Sequence, residues 1–297
     1  MGIMVKTILL TGATGFLGSH LLQKFINTNY NVIILKRSFS DIWRIEKLIN
    51  NVKAYDIDKV NIKLPFEENH IDFVVNTVTN YGRNGEKATS IVETNLMFCL
   101  ELLETAAFFN TDTFFNTDTL QYKYLTNYTL SKKQFVEWGK SFAESERINF
   151  VNIKLEHMYG PKDDENKFVM WLIKKMLDGA QAIDLTLGEQ KRDFIFIDDV
   201  VSAYSTIIKS PNITKYLEYE IGMGQTVCLK DFIIELKSII EEKKAVKLST
   251  KLNFGALPYR EGEPMEIKAD ISKISELGWK AETNIKEGIQ KTVESIL

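Results

Sequence analysis

Tyr128 and Lys132 stand four residues apart in the run Tyr128-Thr129-Leu130-Ser131-Lys132. On a helix that spacing puts both side chains on one face, one turn apart. A phenol ordinarily ionises near pH 10 (about 10). An ammonium beside it favours the phenolate and draws the pKa toward neutrality, as a general acid/base requires. Two hydroxyls, Thr117 and Thr119, stand shortly before this pair in Phe114-Phe115-Asn116-Thr117-Asp118-Thr119. The same tyrosine–lysine spacing also arises by chance on many helices, so its meaning depends on its setting.

That setting is a second constellation, Gly12-Ala13-Thr14-Gly15-Phe16-Leu17-Gly18. It follows the apolar run Thr7–Thr11, which reads as a buried strand, and opens the amphipathic run Phe16 to Phe25, which reads as a helix. A glycine-rich strand-to-helix turn lets the backbone approach a dinucleotide pyrophosphate, and the helix N-terminus offers free N–H groups. Gly12, Thr14, Gly15, Phe16, Leu17 and Gly18 are therefore expected against the cofactor. Cofactor choice is read after the second strand, where an acid accepts bonds from the ribose of NAD and a base accommodates the phosphate of NADP. This chain has Lys36-Arg37-Ser38 there, with no acid before Asp41. Two cations and a hydroxyl suit a phosphate dianion, so the expected cofactor is NADP(H).

The elements that must position these groups alternate between strand and helix patterns. Strands are expected at Asn31–Lys36, Val52–Tyr55, Asp72–Thr77, Thr113–Asn116 and Asn149–Leu155, and helices at Lys87–Phe109 and Thr126–Glu146. Such alternation marks a parallel sheet covered on both faces. The fold class is α/β, a Rossmann-type doubly wound parallel sheet with a smaller C-terminal α/β substrate-binding region. After Leu155 the alternation breaks down. Residues 158–164, 185–196 and 254–267 mix glycine, charge and aromatics, as a ligand-facing region does. Helices at Leu229–Glu242 and Ile285–Ile296 follow.

Bulk properties narrow the function classes. The chain has 297 residues, 44% hydrophobic and 26% charged, an ordinary globular composition. A net charge of −3 argues against a broad nucleic-acid footprint. No apolar run is long enough for a membrane span, and the start leaves no room for a signal peptide. Cys99 and Cys228 have no metal-type spacing and read as thiols of a reducing cytoplasm. No metal site is expected.

Further motifs resemble the extended short-chain dehydrogenase/reductase family of the NAD-dependent epimerase/dehydratase type. The G-x-x-G-x-x-G turn and the Tyr128/Lys132 pair carry the resemblance first. Leu155-Glu156-His157-Met158-Tyr159-Gly160-Pro161 resembles the family's R-x-x-N-x-Y-G-P, with Lys154 for the arginine and His157 for the asparagine. Arg192-Asp193-Phe194 to Asp199, Tyr219 to Gly224, and Arg260-Glu261-Gly262-Glu263 with Ala269-Asp270 resemble later family segments. The resemblance implies that Asp56 meets the adenine amino group, and that a threonine at the end of the fifth strand, Thr117 first and Thr119 second, hydrogen-bonds the reacting oxygen. It places Ile57, Thr77, Asn95, Leu155 and His157 with Tyr128 and Lys132 around the cofactor. It assigns a nucleotide-diphosphate sugar to Thr79, Asp118, Thr119, His157, Arg192, Arg260 and Glu263, the two arginines at the diphosphate. It implies an NADP-binding domain over 1–155 plus about 190–216 and a nucleotide-sugar domain over about 156–189 plus 217–297. It also implies a homodimer built on the helices Lys87–Phe109 and Thr126–Glu146.

The reaction turns on small differences. Family dehydratases carry Asp-Glu after the catalytic threonine, whereas this chain has Asp118-Thr119. The missing glutamate removes the base for proton abstraction at C5. Enzymes that return the hydride each cycle hold NAD, while a reductase consumes NADPH. Asn116-Thr117-Asp118, Leu155 to Pro161 and Glu165 to Phe168, with Gly188-Glu189-Gln190 before Arg192 to Phe196, are similar to the CDP-abequose synthase-like group of nucleotide-sugar 4-ketoreductases. The expected activity is NADPH-dependent reduction of the C4 ketone of a nucleotide-linked 4-keto-6-deoxysugar. The alternatives are a 4-epimerase or dehydratase with recycled NAD and, in another class, a non-catalytic NADPH sensor.

Overall fold

The structure, a computed structural model, describes residues 5–155, 157–211 and 213–297. Backbone contacts divide the chain into two units, residues 1–154 with 208–219, and residues 155–207 with 220–297.

The first unit is built on a seven-stranded sheet in the order β11-β6-β5-β4-β1-β2-β3. Its strands are β1 (Thr7–Thr11), β2 (Asn31–Lys36), β3 (Lys53–Asp56), β4 (Phe73–Asn76), β5 (Thr113–Thr119), β6 (Asn149–Leu155) and β11 (Tyr216–Ile221). The pairs β1–β2, β1–β4, β2–β3 and β4–β5 are parallel. All residues of β1 and β5 are buried, as expected of a sheet covered on both faces. The covering helices are α1 (Phe16–Asn27), α2 (Leu64–Glu68), α3 (Ala88–Val92), α4 (Phe98–Phe108) and α5 (Asn127–Glu144). The expected single helix at Lys87–Phe109 is interrupted by a π-turn, Glu93–Met97, between α3 and α4. β5 runs past its expected end at Asn116, so Thr117, Asp118 and Thr119 are strand residues.

One face of the sheet packs Leu9, Phe114 and Phe150 with Leu102, Leu103 and Phe135 from α4 and α5. Phe150 is stacked on Phe114 at 5.6 Å and on Tyr216 at 6.2 Å. Gly139 makes room for that ring, since a Cβ there would lie 2.2 Å from Phe150. The start of α5 is set by a capping box in which Thr126 and Thr129 satisfy one another's backbone N–H. That cap fixes the helix register that presents Tyr128 and Lys132.

The second unit holds short strands and α6 (Phe168–Leu177), α7 (Ile197–Ile208), α8 (Leu229–Lys244), α9 (Ser272–Ser275) and α10 (Ile285–Glu294). β7 (Met158–Tyr159) pairs with β10 (Ile195–Phe196), and β8 (Ala182–Leu185) with β13 (Lys251–Phe254). β9 (Lys191–Arg192) lies between β12 (Val227–Cys228) and β14 (Glu266–Ile267). Residues 190–207, expected with the dinucleotide-binding half, group with this unit. Two buried carboxylates tie them there. Asp193 accepts the N–H groups of Met223, Gly224 and Ala269 at 2.6, 3.0 and 3.2 Å. Asp199 accepts those of Glu282 and Thr283 at 2.9 and 3.1 Å. A Cβ at Gly222 would lie 2.6 Å from Asp193, so three of the motifs read in the sequence are parts of one clamp.

Candidate active site

The glycine turn follows β1 as expected. Gly12 has a φ of 70°, and a Cβ there would meet Thr77 Oγ1 at 2.5 Å. A Cβ at Gly18 would lie 2.1 Å from the Gly12 carbonyl, so Gly18 lets α1 close against the turn. Gly15 is different: a Cβ there would meet only the Gly12 carbonyl, at 3.2 Å. The backbone at Gly15 is open to a close-approaching group. α1 has no side-chain cap and no acid in its first turn, leaving its N–H groups to an anion. Phe16 and Leu17 are buried by packing. Thr77 donates to the Thr11 carbonyl at 2.7 Å, joining β4 to the base of the turn.

The basic run after β2 meets acids that the linear reading did not pair with it. Lys36 bridges Asp56 at 2.5 Å. Ser38 donates through both backbone and hydroxyl to Asp58, at 2.6 Å each. Asp56, expected at the adenine, thus has one oxygen on Lys36, and the Ile57 N–H continues the pairing to the Lys36 carbonyl at 2.9 Å. Arg37 stacks on Phe39 at 4.8 Å. A residue missed in the sequence joins this edge. Arg44 stacks on Trp43 at 4.4 Å and donates to the Thr14 carbonyl at 3.4 Å, which brings its guanidinium to the glycine turn. Its only sequence signal was an arginine in the loop before the third strand.

Tyr128, Lys132 and the end of β5 come together as expected. Tyr128 stays partly accessible, while Lys132 is buried to 1% and its Nζ has no hydrogen-bond partner among the described residues. An orphaned buried ammonium and an open glycine turn on the same sheet edge fit a dinucleotide with a ribose to hold. Of the two threonines, it is Thr119 whose hydroxyl interacts with the Tyr128 phenol. Thr117 is buried on the opposite alternation from Asp118 in the same strand. The expectation that a lysine draws the phenol toward neutrality is corrected. Loss of water, with the neighbouring Tyr81 and Asp118, holds the Tyr128 phenol well above its ordinary range, although Thr119 and Arg83 pull it down. Burial pushes the Lys132 ammonium below its ordinary range.

Other expected residues serve local structure. Asn95 lies in the π-turn, fully buried, and donates to the Asn80 carbonyl at 2.9 Å and to Ser131 Oγ at 3.0 Å. Its oxygen accepts the Asn80 N–H at 2.7 Å. Both amide donors are used, so Asn95 braces α5 and the loop after β4 and has none left for a cofactor. Thr79 lies partly buried in that loop. Asp118, expected at the substrate, has a fully buried side chain on Lys133 at 2.7 Å. Tyr81 packs on Tyr128 at 5.0 Å between ring centres, and Arg83 lies over Tyr81 at 4.6 Å. Neither was singled out in the sequence.

In the second unit, the expected diphosphate residues converge. Arg192 is buried to 4%, and its guanidinium bridges Glu263. Arg260 is exposed on the turn closed by the Glu263 N–H on the Arg260 carbonyl at 3.0 Å. His157 packs edge-on against Phe194 at 5.7 Å. Burial, with the Arg192 charge, pushes the His157 imidazole down to about 3, so it is neutral at physiological pH. Leu155 is buried at the end of β6. Among the described residues, no cluster of metal-ligating side chains occurs. No helix among the described residues is long and apolar enough to cross a membrane.

The chain is similar to known proteins in sequence and in fold. CDP-abequose synthase of Salmonella muenchen is 38% identical over 294 residues, covering 96% of each chain. The crystal structure of UDP-glucose 4-epimerase from Thermotoga maritima, solved with UDP-glucose, superposes with a TM-score of 0.84 at 23% identity, over 98% of each chain. UDP-glucuronic acid 4-epimerase from Bacillus cereus, solved with UDP-glucuronic acid and NAD, gives 0.82 at 23% identity, also over 98% of each. The model of the NAD dependent epimerase/dehydratase family matches residues 8–222, and with the full-length relative this shows that the chain belongs to that family.

Proposed function

We propose that this enzyme reduces the C4 ketone of a nucleotide-linked 4-keto-6-deoxysugar at the expense of NADPH, as a homodimer in the cytoplasm. The observation that carries the reading is the placement of Thr119, at the end of β5 with its hydroxyl on the Tyr128 phenol, where elimination would need a carboxylate. Reduction needs a donor at the start of the reaction; oxidation of a hydroxyl needs the phenolate. The identity to CDP-abequose synthase supports the same class of substrate.

The bound nicotinamide supplies hydride to the carbonyl carbon. Tyr128 gives its proton to the developing alkoxide and regains one from solvent. Thr117 and Thr119 supply hydroxyls at the end of β5 to orient that oxygen. Lys132 holds the nicotinamide ribose. Gly12, Thr14, Gly15 and Gly18 accept the pyrophosphate on backbone N–H groups, and Arg37 with Arg44 takes the extra phosphate. Arg192 and Arg260 hold the sugar-nucleotide diphosphate, with Glu263 yielding Arg192 when the substrate enters. Thr119 stands where elimination would need a carboxylate base.

A second reading, a 4-epimerase that recycles NAD, is favoured by the Lys36–Asp56 pair, which weakens the case for a phosphate at Lys36. One incubation separates the two. The enzyme, NADPH and a nucleotide-linked 4-keto-6-deoxysugar are expected to oxidise NADPH stoichiometrically, with a gain of two hydrogens in product mass. Epimer formation without NADPH loss, or loss of water from the parent nucleotide hexose, sinks the reductase reading.

A further inference from the structure

Tyr128 is the second residue of α5, and the helix cap fixes its backbone but not its ring. The residue is half-buried. A ring that still meets solvent changes rotamer on the picosecond-to-nanosecond scale unless something packs against it. A proton donor needs a fixed place, because misplacing a reacting group by about 1 Å costs on the order of a hundredfold in rate. The proposed reaction assigns no group to holding the plane of this ring.

The loop after β4 supplies one. The Tyr81 ring lies 5.0 Å from the Tyr128 ring between centres, with an interplanar angle of 45°. That separation is within the range of favourable aromatic pairs. The loop is fixed on both sides of Tyr81. Before it, the Asn80 N–H donates to the Asn95 side-chain oxygen at 2.7 Å, and the Asn80 carbonyl accepts from the Asn95 amide at 2.9 Å. After it, the Gly82 N–H donates to Asn80 Oδ1 at 3.0 Å, closing a tight turn with Tyr81 at its apex. Gly82 has a φ of 68°, a conformation that glycine adopts readily and other residues rarely. The Arg83 guanidinium then lies over the Tyr81 ring, 4.6 Å from its centre. Asn95 also donates to Ser131 Oγ at 3.0 Å, so one buried amide ties the Tyr81 loop to the helix that carries Tyr128.

We propose that Tyr81 is a positioning residue for Tyr128: its ring, pinned by Arg83 and by the Asn80–Asn95 clamp, confines the proton-donating phenol to one rotamer. This rests on the reading of Tyr128 as the proton donor. A loop that only joined β4 to α3 would need neither the side-chain turn nor the left-handed glycine. Both act on the residue between them, and that residue packs on Tyr128. The restraint comes from the breadth of the Tyr81 ring, so it does not require the Tyr81 hydroxyl. A flat aromatic neighbour fills the space into which the Tyr128 ring would otherwise swing, and a smaller side chain leaves that space open.

The first test uses no substrate. Tyrosine is isotopically labelled at the ring ε carbons in the full chain, the Tyr128 signal is identified by its loss in Tyr128→Phe, and its order parameter is measured by NMR relaxation. Tyr81→Leu is expected to lower the Tyr128 order parameter, and Tyr81→Phe to keep the wild-type value. Arg83→Leu leaves both rings in place and is expected to lower it as well. The second test is steady-state kinetics with NADPH and a nucleotide-linked 4-keto-6-deoxysugar. Tyr81→Leu is expected to lose about 10- to 100-fold in kcat with KM for the sugar changed by less than about threefold, and Tyr81→Phe to recover most of that kcat. An unchanged Tyr128 order parameter in Tyr81→Leu overturns the proposal. So does a Tyr81→Phe enzyme as slow as Tyr81→Leu, which would make the hydroxyl the working group. A rise in KM alone would place Tyr81 on the substrate and overturns it too. Should Tyr81→Leu not fold, as read by circular dichroism, Arg83→Leu decides, by a lowered or an unchanged Tyr128 order parameter. A wild-type enzyme inactive on the 4-keto sugar counts against the proposed reaction and leaves the ring measurement standing.

Discussion

The proposed chemistry rests on a phenol and an ammonium that the fold treats in opposite ways. Tyr128 keeps a path to solvent but little water at its hydroxyl, and Lys132 is sealed with no partner for its Nζ among the described residues. Both conditions cost stability in the protein alone, since an unpaired buried polar group forfeits its desolvation energy. They become useful when a ribose and a reacting oxygen arrive. Replacing Tyr128 by Phe keeps the ring and its contact with Tyr81 but removes the donor. Turnover is expected to fall by about 10²–10⁴ while the Kd for NADPH, measured by fluorescence titration, stays near the wild-type value. Unchanged turnover would show that another group delivers the proton.

At the scale of elements, the proposed cofactor preference lies in the segment joining β2 to β3. Lys36 is neutralised from β3 by Asp56, and Ser38 is taken by Asp58. The proposed phosphate would meet the guanidinium groups of this segment, Arg37, stacked on Phe39, and Arg44, which donates to the Thr14 carbonyl. Arg44→Ala is expected to weaken NADPH binding by roughly 10- to 100-fold, from a loss of about 1.5–3 kcal/mol for charge-assisted bonds, while leaving NADH nearly unaffected. Equal losses for the two cofactors would assign Arg44 to the shape of the glycine turn instead. The π-turn at Glu93–Met97 has a comparable local task. It turns Asn95 inward to brace Ser131 beside the catalytic lysine.

At the scale of the whole molecule, the helices α4 and α5 keep apolar surface that the single chain does not cover. Met97 is 56% exposed and Trp138 47%. The apolar side chains Phe98 and Leu100 line a cleft beside Met97, with Glu93, Glu101 and Glu104 around them. Exposed apolar surface bordered by charge is characteristic of an interface. Sedimentation velocity at micromolar concentration is expected to give twice the chain mass, and Trp138→Glu is expected to shift the species toward monomer. A wild-type monomer would refute the dimer.

The sequence by itself determined the glycine turn, the tyrosine–lysine pair and the strands that carry them. The glycine turn, the tyrosine–lysine spacing and the strand periodicity are local signals, written in residues that are neighbours in the chain. β1, β2 and β6 lie where alternation and apolar runs placed them, because buried parallel strands leave a continuous apolar record. Only the tertiary structure decided which charges meet. Asp56 and Asp58 reach the basic run from another strand, Arg44 returns to the glycine turn across a loop, and Asp118 is claimed by Lys133 from the next helix. It also moved 190–207 into the second unit, because Asp193 and Asp199 bond to backbone far along the chain. Side-chain partners separated by tens of residues carry no periodic signature. Their pairing follows from strand order and helix packing, which one-dimensional spacing does not encode.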